Sequence, residues 1–115
     1  MYDLNSLYAL TIPLGPVNAL LILSLARIQR KQTHGTYSFS CDAGVIGDTI
    51  RIDANKQKKH FQQLKKEGLL DYREPIWDRG NDSWSIEVYV EAVDKMIEVS
   101  LENTSTWKLL SREGD

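Results

Sequence analysis

One stretch limits the fold more than any other: residues 53–70, Asp-Ala-Asn-Lys-Gln-Lys-Lys-His-Phe-Gln-Gln-Leu-Lys-Lys-Glu-Gly-Leu-Leu. It predicts a single helix with both ends written in. Asp53 is placed to cap the first turn, because a carboxylate accepts the backbone N–H groups that an initial turn leaves without partners. Gly68 stands where a left-handed residue closes a helix, and the apolar pair Leu69 and Leu70 follows at once. Phe61 and Leu64 form a narrow apolar edge. From Lys56 to Lys66 there are five lysines, one histidine and no acid. A helix with so narrow an apolar edge shows most of its surface to something outside the core.

The charge distribution makes that surface a placed feature. The chain of 115 residues carries a net charge of −2. Residues 1–50 have no net charge, residues 51–75 carry +3 and residues 76–115 carry −5. Positive charge is thus confined to the central helix and its flanks. The length fits one domain, and 42% hydrophobic residues are enough for a modest core.

Cys41 is the only cysteine, so no intramolecular disulfide can form and a reducing compartment is expected. The apolar run at residues 17–26 is too short to span a bilayer. Asp3 precedes the first basic residue, Arg27, which is the wrong charge order for a signal peptide. The expected location is the cytoplasm, with no membrane contact.

Around the central helix the chain reads as follows. Residues 1–15 form a short N-terminal helix or an arm; Leu4, Leu7 and Tyr8 have helical spacing, while Leu10, Ile12 and Leu14 alternate. Residues 16–31 predict the most buried helix, opened by Pro16. Residues 36–40 alternate aromatic and hydroxyl side chains, a short strand with Tyr37 and Phe39 on one face. A short helix at about 42–50 follows, capped by Ser40 or Asp42, with Val45, Ile46 and Ile50 inward. Gly47 there marks a close helix–helix approach, or else Gly44 and Gly47 are only tolerated in a frayed helix. Residues 69–73 and 84–90 bracket a stretch dense in turn formers and predict a β-hairpin with a long tip. A helix returns at 91–102, with Val93, Met96, Ile97 and Leu101 forming an apolar stripe. Residues 103–115, with Trp107, Leu109 and Leu110 in polar surroundings, predict a flexible tail.

This order resembles the winged helix-turn-helix fold over about residues 17–90. The resemblance rests on residues 40–70: Gly47 at the small position, Ile46, Ile50 and Ile52 around it, Asp53 as the cap, and the tail Phe61-Gln-Gln-Leu64-Lys-Lys-Glu-Gly68-Leu69-Leu70. Two positions depart from the family pattern. Arg51 occupies a place where such turns often have glycine, and Gln57 and His60 occupy places of apolar packing. The leucine-rich helix ahead of a strand and helix-turn-helix is also similar to N-terminal domains of DnaD-type and phage replication proteins. The fold class implied is α+β: a three-helix core, a short strand plus a β-hairpin wing spanning 16–90, and an additional C-terminal helix.

The resemblance implies a double-stranded DNA binder, a transcriptional regulator or a plasmid or phage replication protein, with a recognition helix at 53–67 in the major groove. On a helical wheel Asn55, Lys59, Gln62 and Lys66 lie opposite Phe61 and Leu64, with Lys56 and Gln63 beside them. Asn and Gln bond adenine in a bidentate manner, and Lys reaches guanine acceptors or phosphate. The expected DNA-contacting set is Arg51, Asn55, Lys56, Lys58, Lys59, Gln62, Gln63 and Lys66, with Arg79 from the wing. Asp78 and Asp82 flank Arg79 and would repel phosphate there. The stripe of Val93, Met96, Ile97 and Leu101, helped by residues 1–14, is expected to build a homodimer, which would present two recognition helices; the alternative is that this helix folds back across the first helix of its own chain.

A basic helix face is more often only a solvated surface, so a second class stays open: a winged helix used as a protein–protein interaction module without DNA. The acidic C-terminal third and the acidic wing favour it. His34 and His60 lack partners at metal-ligand spacing, so no metal or cofactor is expected. His60 reads as an edge-of-core histidine and Cys41 as a small packing residue. No phosphate loop, triad or carboxylate pair argues for an enzyme.

Overall fold

A computed structural model describes residues 2–33, 38–77, 80 and 82–113 of the chain. Among them are five helices and a three-stranded antiparallel sheet, a mixed α+β architecture. The elements in order are α1 (Leu4–Leu14), α2 (Pro16–Thr33), β1 (Phe39–Asp42), α3 (Ala43–Ile50), α4 (Ala54–Lys66), β2 (Leu70–Arg73), β3 (Ser83–Val88) and α5 (Val90–Glu113).

Residues 4–14 are a helix, because their start is capped. The Asp3 carboxylate accepts the Ser6 N–H at 2.9 Å while the Ser6 hydroxyl receives the Asp3 N–H at 3.4 Å. Gly15, at φ +84°, ends the helix, and Pro16 opens α2 as expected of a proline at a first turn. Leu21, Ile22 and Leu25 of α2 are buried, whereas Val17 and Leu20 keep 42% and 43% of their surface.

The strand expected at residues 36–40 sits two to three residues later, at Phe39–Asp42; residues 36 and 37 lie outside the described ones. Phe39 and Cys41 point inward, so the period of two is kept. The strand order is β1-β3-β2, with Phe39 and Tyr72 both opposite Ile86. The central strand buries Trp84, Ile86 and Val88. Trp84 packs on Phe61 of α4 with ring centroids 4.5 Å apart.

Asp42, not Ser40, caps α3 by accepting the Gly44 N–H at 2.8 Å. Of the side chains expected inward, Ile46 is buried and Val45 is 52% exposed. The close approach at Gly47 is to the backbone of the turn after α3 and not to a neighbouring helix. A Cβ there would meet the Ile52 carbonyl oxygen at 3.3 Å.

Arg51 ends α3 in the left-handed conformation, φ +62° and ψ +40°, with its N–H on the Gly47 carbonyl. This explains why glycine suits the position: an L side chain is strained there by about 1 kcal/mol or more. Arg51→Gly is expected to raise stability by about 0.5–1 kcal/mol, after the entropy cost of glycine in the unfolded chain. Equilibrium urea unfolding checks this, and a destabilised variant would show that the arginine side chain outweighs the strain.

Asp53 does stand at the start of α4, but its carboxylate makes no capping bond. The α4 C-terminus closes as expected. Gly68, at φ +76°, donates to the Lys65 carbonyl, and the Leu69 N–H reaches back to the Leu64 carbonyl, with Leu64 and Leu69 both buried.

The C-terminal helix departs furthest from expectation. It runs to Glu113 in backbone, so residues 103–113 continue the helix; the side chains of Trp107, Leu109 and Leu110 lie outside the described residues. The dimer stripe is also corrected. Val93 and Ile97 are buried in the core of their own chain, and Met96 and Leu101 pack half-buried against it. The cover is α1, which packs on both α2 and α5. The stripe therefore offers little surface to a second copy.

Candidate nucleic-acid interface

Four sides of α4 face four different surroundings. Its inner side is Gln57, Phe61 and Leu64, all buried. Gln57 is polar, yet it is fully satisfied. Its amide nitrogen donates to the Ala43 and Ile52 carbonyls, each at 2.9 Å, and its oxygen accepts the indole N–H of Trp84 at 2.9 Å. One side chain thus ties α3, the turn after it, α4 and β3 together. The sequence marks Gln57 only as a departure from apolar packing.

A second side faces the sheet. Lys58 pairs with Glu74 at 3.2 Å, and Lys65 pairs with Asp71 at 3.0 Å and lies 5.6 Å above the Tyr72 ring. The Asp71 carboxylate raises the Lys65 pKa, and Lys65 in turn lowers that of Asp71. Lys58 was expected to face DNA; β2 and its following residues turn it toward an acid instead. Exposed pairs of this kind are weak, but they lower the free positive charge on that side.

The third side meets α2. The His60 ring Nδ1 lies 2.7 Å from the Asn18 side-chain oxygen, and the Asn18 amide donates to the Gln63 oxygen at 2.8 Å. Since that oxygen accepts, Nδ1 carries the ring proton. Burial, and then the neighbouring Lys59, lower the His60 pKa. This agrees with a neutral histidine at the edge of the core. Gln63, expected to read bases, spends its oxygen on this network.

The fourth side points away from the molecule. Asn55, Lys56, Lys59, Gln62 and Lys66 are all exposed, and none has a hydrogen-bond or ion-pair partner among the described residues. The spacing of 3, 4 and 7 residues that brings them together was readable on the wheel.

The positive surface stops at the N-terminal end of α4. Arg51 is exposed but shares a shallow cleft with Asp48, Asp53 and Asp82. These three acids counter the arginine and the positive end of the helix dipole, so Arg51 is not continuous with the lysine side. Trp77 was not anticipated: 43% exposed, it lines a cleft beside Asn55 and Lys58 and meets Trp84 edge-on at 6.1 Å. A tryptophan among turn formers was its only signal. Arg79, with Asp78, lies outside the described residues.

Burial, and then the Asp42 carboxylate, push the Cys41 thiol up, which disfavours the thiolate. Among the described residues no group of three or more His, Cys, Asp or Glu is placed to hold a metal ion. No described helix is long and apolar enough to cross a membrane. Set against known proteins, the chain matches no family model, no curated protein and no solved structure.

Proposed function

We propose that this chain is a cytoplasmic winged helix-turn-helix protein that binds double-stranded DNA in a sequence-dependent way, with α4 in the major groove and the β2–β3 connection near the flanking backbone. A role in transcription regulation or in plasmid or phage replication fits equally. The observation that carries the reading is the outward side of α4. Asn55 and Gln62 suit base edges, and Lys56, Lys59 and Lys66 suit phosphate. The helix that holds them has no acid from Ala54 to Lys66 and is anchored rigidly from behind by Phe61, Leu64 and Gln57.

The test is a binding titration with duplex DNA at several salt concentrations. Each neutralised phosphate adds about 0.9 to the negative slope of log affinity against log salt. The three uncommitted lysines predict a slope of about −2.7 for one chain, at 0.9 per contact. Absence of binding at low salt, or affinity that ignores salt, would remove the proposal. The acids at Asp48, Asp53 and Asp82, beside Asp71 and Glu74, support the second reading in that case: a protein-interaction module whose basic helix meets an acidic partner.

A further inference from the structure

The outer side of α1 is apolar where a surface helix is ordinarily polar. Leu4, Tyr8 and Ile12, each four residues apart, are 81%, 57% and 62% exposed. They form a ridge opposite Ala9 and Leu10, which are fully buried. Val17 and Leu20 of α2 extend the exposed apolar surface. Beside the ridge runs a groove between α1 and α2, floored by Leu7, Leu20, Leu23 and Ala26.

We infer that this surface pairs with a second copy of the chain, the ridge of each copy seated in the groove of the other. Three features select that occupant. First, ridge and groove adjoin on one surface, the self-complementarity that a two-fold interface needs. Second, no Asp, Glu, Lys or Arg occurs from Leu4 to Ala26, and the charges that line the groove, Asp3 from the α1 side and Arg27 and Arg30 from α2, are of both signs, as a self-complementary surface permits. The apolar remainder calls for an apolar partner, and an identical surface is one. Third, the five exposed side chains present on the order of 600 Å² per copy. Pairing would remove about 1,200 Å² in total, the lower edge of a stable interface, from a patch at the upper limit for a monomer. The dimer stands independently of the DNA reading. It also differs from the dimer expected at the α5 stripe, which α1 covers.

The experiment is the mass of the full chain by light scattering across a concentration series. The wild type is expected at twice the chain mass, and Tyr8→Glu/Ile12→Glu at half that value with an unchanged helical circular dichroism spectrum. Val99→Glu, at an exposed α5 position, is expected to stay dimeric. A second measurement guards against loss of folding. A mixture of Tyr8→Cys and Leu20→Cys chains is expected to give a disulfide-linked dimer of one of each on mild oxidation, ridge to groove, while Val99→Cys is not; Cys41 is buried and does not compete. A monomeric wild type overturns the inference, and so does one that instead floats with phosphatidylcholine vesicles as a monomer. Persistence of the dimer in the glutamate variant overturns it as well.

Discussion

Replacing Gln57 with leucine is expected to cost about 3–5 kcal/mol of folding stability, a large part of the roughly 5–15 kcal/mol that a domain of this kind holds. Leucine has nearly the same size, so packing against Phe61 and Trp84 changes little. What changes is that two buried groups lose their partners together, the Ile52 carbonyl and the Trp84 indole N–H, while the Ala43 carbonyl keeps only its helical bond within α3. Each unsatisfied group costs about 1–3 kcal/mol, because it gave up water on folding and gets nothing in return. Trp84 has no exposed surface at all, so its N–H cannot recover a water without opening the core. The measurement is urea unfolding followed by circular dichroism. A loss below about 1 kcal/mol would mean that the orphaned groups find other partners. Adding Trp84→Phe to the leucine variant removes one orphan and is expected to restore part of the loss, in a double-mutant cycle.

Reversing two charges on the outward side of α4, in Lys59→Glu/Lys66→Glu, is expected to weaken duplex binding by about 100-fold at low salt. Both lysines point away from the core, and neither is paired among the described residues. The fold is therefore expected to be unaffected. The two positions are seven residues apart, about 10 Å along the helix axis, so they meet different phosphates. Loss of both contacts lowers the salt slope by about 1.8, at 0.9 each. Wild-type affinity with an unchanged slope in this variant would take the recognition helix off α4. The slope separates this outcome from general damage, since an unfolded chain loses affinity at every salt concentration.

What the sequence by itself determined was local. The extent of α4, its glycine closure at Gly68 and its apolar edge at Phe61 and Leu64 follow from spacing within one helix. So does the grouping of Asn55, Lys59, Gln62 and Lys66 on one side. The alternation that buries Trp84, Ile86 and Val88 is local in the same sense. The tertiary structure decided everything that depends on which distant groups meet. Gln57 reads as a misplaced polar residue until Ala43, Ile52 and Trp84 converge on it. Lys58 and Lys65 look like Lys59 and Lys66 until β2 brings Asp71 and Glu74 beside only the first two. The α5 stripe looks free until α1 folds across it, and the same move leaves Leu4, Tyr8 and Ile12 as the uncovered apolar surface. A helical wheel shows which residues share a side, but not what lies against that side. Here three of the four sides of α4 are filled by segments from elsewhere in the chain.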